Sequence, residues 1–504
     1  MARPDGEALR FGVATAGFQT EGGFNGPSEP QNNWYEWEAA GRIEPSGIAV
    51  DFWNRHAEHF ERAQQIGVDS FRLSLEWARI EPAEGRIDEG AFEGYVEILD
   101  ACRRHGMEPL VTLCHFTHPA WLGTDFWTRS DSPQRFADFA ALAAERLEGR
   151  CALFVTLNEI NILALMSFFL GTFPPGRRLD GASALRAADH LLTAHVLAYA
   201  ALKAQMPSST VGTNNCALSI YELDRLGIDL LCARSRGVKR ADLGAHLSKC
   251  RADWYAGPSA AGAVIPGGDR GLRGPGLLGG GRGFRGPVLP GGGRGLWGPV
   301  LEEGLRRLAG RLVDPERSLP RAVDAVYASP HERTLDVIQL DYYDPATADH
   351  LQLPGRRTAG GRALSPSRPL WDDPPSPEGL RAYLAAEAEP GLDVWIVENG
   401  LCNRVRRGRS YPRLDGWTRP RYLEANLAAI AQARREGIPI SGYWHWCLVD
   451  NYEWGTYEPR FGLYGLDRER GLSWSGRDSM GADAAGTFGR LIEAIRRGDA
   501  VGPR

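Results

Sequence analysis

Eight short apolar runs recur along the 504 residues, at 11–18, 68–75, 108–116, 151–159, 211–220, 335–343, 393–400 and 440–448. Most are nearly unbroken stretches of Val, Ile, Leu and aromatic residues, as expected of parallel strands covered on both faces. The intervals hold amphipathic patterns such as NRHAEHFERAQQIG (54–67) and RYLEANLAAIAQARREG (421–437), each closed by a glycine just before the next run. A glycine there ends a helix because it alone enters the left-handed conformation without strain. Eight strand–helix units in series predict a (β/α)8 barrel, the TIM-barrel class of α/β fold, with residues 1–504 forming a single domain.

One segment does not fit the alternation. From Arg270 the chain reads RGLRGPGLLGGG, RGFRGPVLPGGG and RGLWGPVLEEG, a twelve-residue repeat preceded by the half-copy AVIPGGD. It is too rich in Gly and Pro to bury a core and lacks collagen's three-residue period. We read 257–304 as a flexible low-complexity insert between strands five and six. Its arginines (Arg270, Arg273, Arg282, Arg285, Arg294) resemble an RNA-binding RG-rich box, but aromatic residues for base stacking are few. The net charge of −5 leaves no chain-wide footprint for nucleic acid or an anionic membrane. No run of apolar residues is long enough for a membrane span, and the start, MARPDGEALRFG, lacks the apolar stretch of a secretory signal. The eight cysteines are scattered without a CxxC, which predicts reduced thiols in a cytoplasmic protein.

In such a barrel the chemistry gathers at the C-terminal ends of the strands. Gln19 with Glu21, Arg72, His115, Asn158 with Glu159, Tyr343, Glu398 and Trp446 all fall at or just past those ends. The last run continues as GYWHWCLVDNYEWGTYEPRFGLYGL (442–466), which packs Trp446, Glu453, Trp454 and Arg460 together. Flat aromatic faces beside carboxylates suit a pyranose, with its apolar C–H faces and rim of hydroxyls. Two carboxylates on separate strand ends can supply the acid and the nucleophile that break a glycosidic bond. His115 and His118 form an HxxH pair without a helical glutamate partner, a weak metal signal, so no metal and no cofactor are expected.

On TLNEI (156–160), IVENG (396–400), FRLS (71–74), DYY (341–343), ATAGFQTEGG (14–23) and the tryptophan-rich stretch, the chain resembles family 1 glycoside hydrolases of the β-glucosidase type. The likeness runs from about Phe11 to Asp467, except for roughly 254–320. It implies a metal-free retaining β-glycosidase acting on small β-glycosides, with Glu159 as acid/base and Glu398 as nucleophile. It further implies that Arg72 and Tyr343 support the nucleophile. Gln19, His115, Asn158, Glu453 and Trp454 would bind the sugar, and Trp446 would stack on it.

Three residues depart from the family pattern: Phe18 where tyrosine is common, Ile160 where proline is usual, and Asp341 where asparagine is usual. The sequence leaves open a transglycosidase, which uses the same two glutamates. A non-catalytic sugar-binding relative would show itself by losing one of them, and both are present. Oligomeric state and the natural aglycone are not legible.

Overall fold

The computed structural model describes residues 8–218, 220–256, 314–343, 375–406, 409–413 and 415–501. The expected 257–304 insert lies outside them.

The strands in chain order are β1 (Arg10–Ala14), β2 (Ser70–Ser74), β3 (Glu108–Cys114), β4 (Leu153–Leu157), β5 (Thr210–Gly212), β6 (Asn214–Cys216), β7 (Val337–Asp341), β8 (Asp393–Glu398), the pair β9 (Arg404–Arg406) and β10 (Arg409–Tyr411), β11 (Ile440–Trp446), and the pair β12 (Leu466–Asp467) and β13 (Ser473–Trp474). All but the two antiparallel pairs, β9 with β10 and β12 with β13, form one parallel sheet in the order β5-β4-β3-β2-β1-β11-β8-β7-β6. β5 and β6 are two halves of one strand flanking Thr213, so the sheet closes on itself through the chain. This is the expected eight-stranded barrel. Helices Phe52–Ile66, Glu89–Arg104, Ser132–Leu147, Gly181–Gln205, Pro320–Ala328, Pro377–Glu387, Arg419–Arg435 and Ala484–Arg497 each follow one barrel strand. The glycine stop read from the sequence holds at Gly67, the C-cap of the first of these, with φ of 85°.

Strand periodicity divides the core into two shells. In β8, Val394 and Ile396 face the helices, while Trp395 and Val397 face the barrel interior with Leu110, Val155, Val337 and Trp444. Trp444 fills the barrel because Gly12 and Gly442 leave room for it. A Cβ at Gly12 would lie 2.1 Å from Trp444 Cδ1, and one at Gly442 would lie 2.4 Å from Trp444 Cζ3.

Every barrel strand is shorter than its apolar run, and in the first and the fifth the cause is visible. The first stops at Ala14, and Gly17–Thr20 forms a short helix that carries Gln19. Polar side chains past β2 capture the backbone there: Gly17 N–H donates to Ser74 Oγ at 2.7 Å and Phe18 N–H to Glu76 Oε1 at 2.9 Å. The fifth run, expected over 211–220, breaks at Thr213 and ends at Cys216. Thr213 Oγ1 donates to Leu157 O at 2.8 Å, an intrusion that the apolar pattern does not announce. Among the described residues, no helix is long and apolar enough to cross a membrane.

Candidate active site

Arg72 stands in the middle of β2, wholly buried. A guanidinium shut off from water must direct its donors to protein acceptors. Nε donates to Thr112 Oγ1 at 3.0 Å, Nη1 to Val397 O at 3.1 Å and to Glu398 Oε1 at 2.6 Å, and Nη2 to Asn158 Oδ1 at 2.5 Å. One side chain thereby ties together β2, β3, the end of β4 and β8.

Glu398 is the last residue of β8, and its other oxygen accepts from the Tyr343 hydroxyl at 2.7 Å. The register between β7 and β8 slips at this point: Leu340 pairs with Ile396 but Asp341 with Glu398. A bulge of this kind re-aims a strand-end side chain. It sets Glu398 beside Asp341, which pairs on its other flank with Cys216. Burial lifts the Glu398 pKa above the ordinary carboxylate value, opposed by Arg72 and Tyr343.

Glu159 follows β4 at the N-cap of the helix Ile160–Ala164, in the left-handed conformation with φ of 39°. A non-glycine residue held there is strained, a condition concentrated at functional sites. Burial, and then the charge of Glu398, push its carboxyl up to about 8, against hydrogen bonds from Cys216 and Asp341 and the charge of Arg72. Oxygens of Glu159, Asp341 and Glu398 lie within 4.8 Å of one another. The three could ligate a cation, but Arg72 already supplies positive charge there, 2.6 Å from Glu398 and 3.9 Å from Asp341. Burial raises both, but Arg72 and Tyr343 oppose it at Glu398 while the charge of Glu398 adds to it at Glu159, which favours Glu159 as the protonated member of the pair.

Around this pair lies a rim of neutral groups. Asn158 Nδ2 donates to His115 Nε2 at 3.3 Å, which assigns the ring hydrogen to Nδ1. That Nδ1 is buried without a partner among the described residues. Burial, and then the charge of Arg72, hold His115 neutral. Its ring lies nearly parallel to Trp446 (centroids 5.9 Å apart, 15°) and to Trp454 (5.7 Å, 7°). Gln19 Nε2 donates to Tyr452 O at 2.9 Å and Glu453 Oε2 at 3.0 Å, while Trp446 Nε1 donates to Glu453 Oε1 at 3.2 Å. Gln19 Oε1 is buried with no donor among the described residues. Burial, chiefly, raises the Glu453 carboxyl to about 8.

The ten residues to which the resemblance gives site roles therefore meet at one end of the barrel, while Glu21 is taken up by Arg79 Nε at 2.9 Å and the Tyr95 hydroxyl at 2.9 Å. His118 lies apart from any ligand set: its Nε2 donates to Gly123 O at 3.1 Å and its ring packs on Phe126. Arg460 turns to Asp450, 3.6 Å away. Sequence reasoning missed Asn214, which donates to both Asn158 Oδ1 and Asp341 Oδ2, and Cys216 beside Glu159. The signal was there in TNNC (213–216), the polar end of an apolar run.

The family model described as glycosyl hydrolase family 1 matches residues 6–239 and 332–480. This chain belongs to glycosyl hydrolase family 1. It is 27% identical over 486 residues to a β-glucosidase of Agrobacterium sp., covering 92% of this chain and 91% of that one. It is 24% identical over 490 residues to a 6-phospho-β-galactosidase of Clostridium acetobutylicum, covering 92% of each. A β-glucosidase from Thermotoga maritima, solved in complex with galacto-hydroximolactam, shares the fold with a TM-score of 0.67. That likeness spans 97% of this chain and 98% of that one at 22% identity. As a member of the family, the protein is a glycosyl hydrolase, and the RNA-binding and non-catalytic readings are not favoured.

Proposed function

We propose that this family 1 hydrolase removes terminal non-reducing β-D-glycosyl residues by double displacement, with Glu398 as nucleophile and Glu159 as acid/base. The observation that carries this reading is the spacing of the two carboxyls. One oxygen of each lies within 4.8 Å of the other, which is closer to the spacing of a retaining enzyme, whose carboxyls stand about 5–5.5 Å apart. An inverting enzyme needs about 6.5–9.5 Å to admit a water between carboxylate and sugar.

In the first step Glu398 attacks the anomeric carbon while Glu159 protonates the departing oxygen. Arg72 and Tyr343 hold Glu398 ionised and aim it. Glu159 then takes a proton from water, which displaces Glu398 from the glycosyl–enzyme ester. The unpartnered Gln19 Oε1 accepts a hydroxyl hydrogen of the bound sugar and His115 Nδ1 donates to a sugar oxygen, while Asn158, Glu453 and Trp454 complete the polar rim and Trp446 the stacking face. The relatives' names span β-glucosidase and 6-phospho-β-galactosidase. Glu453 has the neutral partners Gln19 and Trp446 and feels the negative charges of Glu398 and Asp450. This corner suits a plain hydroxyl, so β-glucosides, with β-fucosides or β-galactosides, are the proposed substrates.

The test is Glu398→Ala. Hydrolysis of nitrophenyl β-glucoside should fall by about a thousandfold or more while sugar binding persists. Added azide should then give a glycosyl azide of inverted anomeric configuration. Turnover near that of the wild type refutes the assignment.

A further inference from the structure

The double displacement gives no work to the third carboxyl of the pocket. Asp341 ends β7 wholly buried, where the family resemblance leads one to expect an asparagine. Its Oδ2 accepts from Asn214 Nδ2. Its Oδ1 is buried and receives no N–H or hydroxyl hydrogen among the described residues. Arg72 Nη1 stands 3.9 Å from Oδ1, with its hydrogens directed to Val397 O and Glu398. The Glu159 and Glu398 carboxyls each bring an oxygen within 4.8 Å of one on Asp341. Buried carboxylates gathered so closely repel one another, which favours a proton retained among them.

The charge balance of the pocket demands the same. Three carboxyls meet one guanidinium, and that guanidinium is paired with Glu398. The remaining neighbours add no positive charge. Cys216 and Tyr343 are thiol and phenol, both pushed well up by burial, and His115 is neutral.

We propose that Asp341 is a positioning residue for Glu159: it keeps its proton throughout the reaction cycle and donates it to the Glu159 carboxylate whenever Glu159 has given up its own. The idea rests on Glu159 being the acid/base. When Glu159 passes its proton to the leaving oxygen, the Asp341 O–H turns to the new carboxylate and stabilises it. When Glu159 recovers a proton from water in the second step, Asp341 returns to its former state, so no proton is gained or lost. Burial, and then the charge of Glu398, hold the Asp341 carboxyl well above its usual range. Asp341 is also the more deeply buried of the two, 0% exposed against 7% for Glu159, which favours it as the carboxyl that keeps its proton.

Three measurements test this. Asp341→Ala removes the donor. The alkaline limb of kcat/KM should move up by about one pH unit, and cleavage of poor leaving groups should slow about tenfold, the worth of a hydrogen bond to a charged group. Asp341→Asn places an amide N–H in the same position and should rescue both effects. Infrared difference spectra of the full-length enzyme at neutral pH should show one protonated carboxyl fewer in Asp341→Asn than in the wild type. In the wild type that band should survive titration through the alkaline limb. The proposal is overturned if Asp341→Asn lowers the alkaline limb by a unit, since Asp341 would then be an ionised neighbour raising Glu159. It is also overturned if Asp341→Ala leaves the limb in place, or if the infrared count does not change. Should Asp341→Ala fail to fold, the Asp341→Asn profile and spectra decide. Failure of the Glu398→Ala test would remove the catalytic reading without altering the infrared count, so the two failures are distinguishable.

Discussion

Replacing Tyr343 with phenylalanine deletes a single contact, the 2.7 Å hydrogen bond from its hydroxyl to Glu398 Oε2. The ring stays, still packed edge-on against Phe461. A hydrogen bond to a charged group is worth about 1.5–3 kcal/mol, and one pH unit corresponds to about 1.36 kcal/mol, so the shift should be about 1–2 units. Its sign follows from which form is stabilised. The phenol donates to the ionised carboxylate and holds the pKa of Glu398 down against burial. Without it the pKa rises. Activity requires Glu398 ionised, so the acid limb of kcat/KM moves to higher pH. The alkaline limb, assigned to Glu159 at about 8, stays in place because the lost hydroxyl bonds to Glu398 and is not among the groups that shift Glu159. The profile narrows from the acid side only. The assay is kcat/KM for nitrophenyl β-glucoside across both limbs, wild type against Tyr343→Phe. An acid limb that does not move, or an alkaline limb that moves alone, refutes the reasoning that Tyr343 supports the ionised nucleophile.

Three other outcomes are expected. Glu159→Gln should impair cleavage of poor leaving groups far more than of dinitrophenyl glycosides, which depart with little protonation; equal losses would show a structural role. Nitrophenyl β-glucoside should surpass its 6-phosphate in kcat/KM by at least about a hundredfold, because a phosphate desolvated beside Glu453 meets the carboxylates of Glu398 and Asp450; a preference for the phosphate would overturn this account of that corner. Gly12→Ala should lower stability by about 1–3 kcal/mol in urea denaturation, since the new Cβ would overlap Trp444 inside the barrel; an unchanged midpoint would mean that Trp444 repacks freely.

The barrel was legible because its signal is long and repetitive. Eight apolar runs with glycine-stopped amphipathic intervals admit few packings, and residue types at the run ends, such as Glu159 in TLNEI and Glu398 in IVENG, mark which end bears the chemistry. Strand ends were less legible, because capture of Gly17 and Phe18 by Ser74 and Glu76 joins residues 57 and 58 positions apart. Asp341 could be noticed as a departure, but its role could not be read. A one-residue slip between β7 and β8 sets Glu398 beside it, Asn214 reaches it from β6, and Glu159 reaches it from a left-handed residue after β4. The sequence by itself thus determined the layers, the catalytic end and the residue types gathered there, since each depends on local periodicity. Which carboxyls lie together and which one Arg72 pairs with were decided only by the tertiary structure, because electrostatic coupling depends on separations of a few ångströms between strands distant in the chain.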